Sequence, residues 1–205
     1  MSPSSSEVLQ LARNGAVDPL IDENRRLRRT MRDLVALSTL PAIWSGLGDD
    51  RIANSLCDVL VSTLSLDVIY VLLERDGGNG PIEVMRSKHP EPGRQEATRA
   101  SLASLLQTSS VEAVATIRNP CGAGTLRAAV IRFGIAANHG ALIACSTSPD
   151  FPTEQDRLLL AVGANQTAIV MQRRQDEERR HEQQEWLRVT LESIGDAVIT
   201  TDTTG

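Results

Sequence analysis

Between Thr153 and Gly195 the sequence contains no proline and a single glycine, Gly163. Such a run reads as one continuous helix of about 40 residues, about 60 Å long at 1.5 Å per residue. Its start is marked by Thr153, an N-cap residue type, answered three positions later by Asp156. The first half carries Leu158, Leu159, Leu160, Ala161, Val162, Ala164, Ala168, Ile169, Val170 and Met171, enough apolar surface to pack on a sheet. From Arg173 to Glu185 it is almost wholly charged. A compact domain has no use for the whole of it, so the helix is expected to leave one domain and reach toward another.

The other end of the chain carries a second helical pattern. Residues 1–15 are Ser-rich and then weakly patterned, and are expected to be disordered. Between Val17 and Ser38 the residues fall on a heptad, with Val17, Asn24, Met31 and Ser38 on one position and Leu20, Leu27 and Leu34 on the other. That is a coiled-coil seam of about three heptads, in which Asn24 at an a position would favour a two-stranded, in-register pair. Leu20, Asn24, Leu27, Met31 and Leu34 are therefore the candidate dimer seam over residues 16–40. The competing reading is an amphipathic helix packed on its own domain. Pro41 is expected to stop or kink this helix, because it lacks an N–H and disfavours helical geometry at Leu40.

Between the two lies the material of one core, assigned to residues 41–175. Ile52, Leu56, Val59 and Leu60 recur at helical spacing from Asp49 to Leu64. Residues 67–74 form a strand apolar on both faces, 75–80 a turn and Ile82–Arg86 the antiparallel return. A loop from 87 leads to a helix over Gln95–Gln107, then a short strand over Val111–Ile117, a turn-rich stretch around Asn119–Gly124 and a strand over Leu126–Phe133. Gly134–Gly140 is a second hairpin turn and Ala141–Ser146 its buried partner. Antiparallel hairpins flanked by helices make an α+β fold.

Composition narrows the function. A net charge of -5 and a pI near 5.3 leave nothing to neutralise phosphates, so neither nucleic acid nor an anionic membrane is an expected partner. Aromatic residues make up 2% of the chain, which removes base-stacking platforms and aromatic cages. Cys57, Cys121 and Cys145 are an odd number without a CxxC pair or a Cys/His cluster, pointing to a reducing cytoplasm with neither disulfide framework nor zinc. The start Met1-Ser-Pro-Ser-Ser-Ser has no basic region followed by an apolar run, and no stretch reaches about 18 apolar residues, so a soluble protein without an export signal is expected.

The individual motifs reduce to structure. Gly122-Ala-Gly124 precedes a strand, whereas a dinucleotide fingerprint follows one, so it reads as a turn. His181 sits in a charged helix, and His89 and His139 in loops with no acid at metal-ligand spacing. Arg127 and Arg132 are out of phase on one strand, so at most one can face a pocket between the sheet and residues 87–125; either reads equally as solvated charge. No residue pattern points to a cofactor, a metal or a catalytic group.

The run from Ala141 to Val170, with Phe151 followed by Arg157-Leu-Leu and then Ala164-Asn-Gln-Thr-Ala-Ile169, resembles the last core strand and outgoing helix of a GAF domain, a small sensory fold of bacterial signalling proteins. The resemblance covers about residues 45–175. A second one follows. Trp186 to Gly205 resembles the opening of a PAS domain, with a helix, a first strand at Ala197–Thr201 and the turn at Asp202 and Gly205. The two in series, joined by a charged linker over 176–192 with the PAS-like start at 193–205, resemble the input region of a sensor histidine kinase. Diguanylate cyclases and phosphodiesterases use similar inputs.

What the resemblance implies is a cytoplasmic, homodimeric, non-catalytic module that relays a signal to downstream PAS and kinase domains of a longer chain. Val162, Ile169 and Leu187 lie on the heptad of the relay helix, whose seam is otherwise mostly polar and so weakly held. The departures matter as well. Cys57, Cys121 and Cys145 are followed by Asp, Gly and Ser rather than the His of bilin-attaching GAF domains, and the Asn-Lys-x-Asp motif of the cyclic-nucleotide-binding subset is absent. Free methionine-R-sulfoxide reductases also resemble GAF domains; Cys121 in its Gly-rich loop is the candidate nucleophile of that alternative. A ligand-free dimerising spacer is the third expectation.

Overall fold

The computed structural model describes residues 5–74, 80–90, 93–108, 112–134 and 140–201, and the side chains of the two end helices from Leu20 and as far as Ser193. The elements are α1 (Ser5–Trp44), α2 (Asp49–Leu64), β1 (Val68–Leu73), β2 (Ile82–Ser87), α3 (Gln95–Thr108), β3 (Glu112–Arg118), β4 (Thr125–Phe133), β5 (Gly140–Ser146) and α4 (Glu154–Thr201). The strands form one antiparallel sheet in the order β2-β1-β5-β4-β3. This is the α+β sandwich expected of the pattern, with the strand boundaries displaced by a residue or two.

Alternation along the strands divides the core in two. Ile69, Val71, Leu142, Ala144, Ala129 and Ile131 point to the layer made by α1, α2 and α4. Val68, Tyr70, Ile143, Cys145, Ala128 and Val130 point to the layer of α3, against Leu102 and Leu106. β5, the middle strand, is buried along its whole length, which explains its unbroken apolar sequence. Gly140 opens it, where a Cβ would stand 2.4 Å from the Phe133 ring paired across from it. Gly163, the single glycine of the long run, lies where α4 crosses α2; a Cβ there would come 3.2 Å from Leu56.

The start of α4 is as its sequence predicts. Thr153 N–H and Oγ1–H donate to the Asp156 carboxylate at 2.8 and 2.9 Å, and the Asp156 N–H donates back to Thr153 Oγ1 at 3.2 Å, a reciprocal cap. The N-terminal helix is longer than expected at both ends. Residues 5–15, expected to be disordered, are helical; Glu7, Leu9, Gln10, Leu11, Ala12 and Arg13 are good helix formers that extend an existing helix without a new nucleus. Residues 1–4 lie outside the described residues.

Pro41 does not end α1 either, because Leu37, Leu40 and Trp44 are buried in the core and hold the last turn in place. The indole N–H of Trp44 donates to Ser55 Oγ at 2.9 Å, tying the helix to α2. The strand expected at Ala197–Thr201 is helical backbone, the end of α4. With no second strand beside it among the described residues, a strand would leave its N–H and C=O groups unpaired, whereas a helix satisfies them internally. The turn expected at Asp202 and Gly205 lies outside the described residues.

The two long helices run side by side. Arg26 Nε donates to Gln155 Oε1 at 3.1 Å near the start of α4. Twenty or so residues later along both, Arg174 donates to the Leu47 carbonyl and pairs with Asp49 at 2.7 Å. Both helices therefore point the same way. Beyond this overlap α1 extends past one end of the domain and α4 past the other, and α4 is exposed around its circumference from Glu177 to Val189. No helix among the described residues is long and apolar enough to cross a membrane.

Candidate functional site

β2 is an edge strand, and its alternating side chains serve two layers. Val84 and Arg86 face α2, while Glu83, Met85 and Ser87 face α3. A cavity of about 490 Å³ wraps this edge, lined by Asp50 and Asn54 from α2, by Arg94, Gln95, Thr98 and Arg99 at the amino end of α3, and by Cys121. Its volume is within the range of small-molecule sites.

Arg86 braces one wall. Its Nε donates to Asp58 Oδ1 at 2.9 Å and its Nη2 to the side-chain oxygen of Asn54, so it locks β2 to α2. On the other wall Arg99 meets Glu83 at 3.9 Å, a long and loosely held pair between α3 and β2. Behind that pair Tyr70 is fully buried on β1. Burial, reinforced by the nearby Glu83 carboxylate, pushes its hydroxyl up to about 12. The Glu83 carboxylate is the acid beside both groups, raising the phenol by its charge and by hydrogen bonding and standing 3.9 Å from the buried Arg99 Nε.

Cys121 is placed by the turn that precedes β4. Its N–H donates to Asn119 Oδ1 at 2.9 Å, and the Asn119 amide donates in turn to the Ala123 carbonyl at 3.3 Å. The thiol, half-buried, has Ser87 Oγ at 3.7 Å and Thr98 Oγ1 at 3.8 Å. Cys57 and Cys145 are fully buried. Burial pushes each thiol up to about 12, for Cys57 against the pull of Arg86, and for Cys145 with Cys121 and Asp67 adding to the rise.

The cavity overlaps the space expected between the sheet and residues 87–125 and also takes in Asp50 and Asn54 of α2; the two expected arginines lie elsewhere. Arg127 lies on the α1, α2 and α4 side with a buried, unpartnered Nε; Arg132 lies on the opposite side and donates to the Leu106 carbonyl near the end of α3. Neither lines the cavity. Arg86, Arg94 and Arg99 do, and their clustering around the 87–95 loop is the signal that could have found them. Of the seam residues, Leu20, Asn24, Leu27 and Met31 are exposed while Leu34 is partly buried against the core. On α4, Val162 packs partly against the core, whereas Ile169 and Leu187 are exposed. His89 and His181 are exposed; His139 lies outside the described residues.

No family model matches the sequence, and no curated protein matches it. Solved structures do match. The GAF domain of a protein assigned as a sensor histidine kinase in Pseudomonas syringae pv. tomato superposes with a TM-score of 0.54 at 17% identity, over 80% of this chain and 99% of that one. The sheet of five antiparallel strands between helical layers decides the comparison. The fold is that of a GAF domain. The GAF domain of an Acinetobacter phosphoenolpyruvate-protein phosphotransferase aligns over 73% of this chain and 94% of its own, with 10% identity and a TM-score of 0.42. A GAF domain/HD domain protein of Geobacter sulfurreducens aligns over 62% and 95%, with 13% identity and a TM-score of 0.40. The cavity of this GAF fold thus lies at the β2 edge, under the amino end of α3.

Proposed function

We propose that the chain is a cytoplasmic, non-catalytic sensory and dimerisation module, in which occupancy of the GAF cavity biases the packing of α1 and α4. Through α4 it acts on downstream PAS and output domains of a protein like a sensor histidine kinase. The observation that carries this reading is the outer face of the parallel α1 and α4 pair. Leu27 and Met31 are 54% and 67% exposed there, with Val35 and Ile43 beyond them on α1 and Leu158 and Ile169 on α4. A single chain covers none of these; a second copy placing the same face against them would form a four-helix seam. The charged stretch after Arg174 suits a relay, since polar seam positions hold two helices weakly enough for a small energy difference to shift them.

Sedimentation equilibrium of the 205-residue chain tests the dimer. A mass of two chains is expected, falling to one in the Leu27→Asp, Met31→Asp double variant with the circular dichroism of the domain kept. A monomeric parent chain at tens of micromolar overturns the reading. The thiol-enzyme alternative needs a resolving thiolate beside Cys121, and the two remaining thiols of the chain are held protonated by burial. Absence of turnover with free methionine sulfoxide dismisses it. The spacer alternative predicts no ligand at all, against which stands the polar cavity.

A further inference from the structure

The sheet has two edges, β2 and β3, and the chain treats them differently. At β2, Lys88 N–H donates to the Asp67 carbonyl, which by antiparallel alternation turns the backbone groups of Glu83, Met85 and Ser87 outward. The Met85 carbonyl accepts from Arg86 Nη1 at 3.3 Å, and ion pairs of Arg86 with Asp58 on α2 and of Arg99 on α3 with Glu83 bracket the strand. At β3, Asn119 N–H donates to the Gly124 carbonyl at 2.9 Å. Ala113, Ala115 and Ile117 therefore turn their backbone groups toward β4, and Glu112, Val114, Thr116 and Arg118 turn theirs outward. Among the described residues no strand lies beyond them.

Folded proteins blunt an open edge with a lysine, a proline, a bulge or a short strand. β3 has none of these: it runs for 7 residues in unbroken register with β4 and carries charge only at its ends, Glu112 and Arg118. Val114 is 41% exposed, and Thr116 and Arg118 are exposed as well. Beside Val114 a cavity of about 170 Å³ opens toward Ala129, Ile131 and Pro152, so the start of α4 leaves this margin of the sheet uncovered. The strand is also complementary to itself. Set antiparallel to a second copy about a two-fold axis at Ala115, it brings outward-turned residues against outward-turned residues, with Glu112 opposite Arg118 of the other copy and Val114 opposite its Thr116. A register one residue away sets outward groups against inward ones and bonds nothing. A shift of two leaves residues at the ends unpaired and loses the opposition of acid and base.

We propose that β3 is a second self-association surface, on which two copies of this chain pair edge to edge into one continuous antiparallel sheet, with Glu112 and Arg118 opposed at both ends. The interface is isologous, shares no residue with the α1 and α4 face, and goes beyond the sensory reading. Pairing a single strand buries little surface, so the contact is weak and depends on concentration. It fills after the helical face and links helical dimers to one another.

Sedimentation equilibrium of the full chain, followed from tens to hundreds of micromolar, tests this. Toward the upper end the parent is expected to rise from two chains toward four, and the Leu27→Asp, Met31→Asp variant from one toward two. Arg118→Glu and Glu112→Arg each set like charges against one another at both ends of the paired strands and should weaken this step about tenfold. Combined in one chain they restore the opposition and should recover it. Thr116→Pro removes an outward N–H that β4 does not use, and should abolish the step with the circular dichroism kept. Hydrogen exchange locates the contact: the Val114 and Thr116 amides should slow as concentration rises, whereas Ala113 and Ala115, bonded to β4, should be slow throughout. A mass constant over the whole range, Val114 and Thr116 amides indifferent to concentration, or a charge swap that restores nothing overturns the proposal. A double aspartate variant that passes from one chain to two supports this edge independently of the helical face. A parent chain that is monomeric at tens of micromolar and pairs at hundreds defeats the helical dimer alone.

Discussion

The buried thiols give the domain a pH limit. In the folded chain Cys57 and Cys145 titrate near 12 against an ordinary value of 9.0, so on raising the pH the unfolded chain gives up these protons first. Stability from the two groups is therefore complete below pH 9 and is lost between pH 9 and 12. Tyr70, raised from 10.0 to about 12, acts in the same direction from pH 10. Each pKa unit is about 1.4 kcal/mol, so the combined loss is on the order of several kcal/mol by pH 11. Urea midpoints measured from pH 7 to 11 should fall steeply above pH 9, and the slope should flatten in Cys57→Ala and Cys145→Ala. An unchanged slope in both variants would mean that other groups govern alkaline unfolding. The sequence separates Cys145, in the buried strand 141–146, from Cys121, in a glycine-rich turn, but the size of these effects depends on what packs around each thiol.

At the scale of the element, α1 is held to the domain by its last two turns. Leu37, Leu40 and Trp44 are buried, and Trp44 also spends its N–H on Ser55. Truncation of a large buried aromatic costs about 3–5 kcal/mol, so Trp44→Ala should lose that much in denaturant unfolding and raise hydrogen exchange along α1. Trp44→Phe, which keeps most of the ring, should cost about 1 kcal/mol through the lost hydrogen bond. Equal losses would shift the weight from packing to the hydrogen bond. Leu37, Leu40 and Trp44 are spaced i, i+3, i+7, a helical stripe, but Pro41 three residues before Trp44 argued for a helix end; only the core beneath shows why the stripe prevails.

Over the whole molecule, α1 and α4 point the same way and overhang the domain at opposite ends, which gives it a polarity. In a parallel dimer about an axis along these helices, the exposed α4 residues Leu187 and Leu191 of two copies would meet their own counterparts. A Leu187→Cys chain should therefore form an intermolecular disulfide under mild oxidation, as should Leu20→Cys at the other overhang. An antiparallel pair would give neither, and would separate the dimer from the proposed relay.

What the amino-acid order by itself determined is local and periodic. The Thr153 and Asp156 cap, the apolar strands of β1 and β5, the α2 spacing and the glycine-rich turns depend on neighbours within a few residues, and each is found where the pattern puts it. The long α4 is legible for the same reason, as a helix satisfies its own backbone. The structure alone decided what depends on distant partners. Ala197–Thr201 is the end of α4, with no strand beside it among the described residues, and residues 5–15 are helical because α1 had already been nucleated. The cavity likewise joins Asp50 and Asn54, Glu83 and Arg86, Arg94 to Arg99 and Cys121, which no spacing relates. Which of Arg127 and Arg132 lies on which side is a choice that strand alternation limits to two and only packing resolves, and neither side brings one to the cavity, whose arginines come from β2 and the amino end of α3.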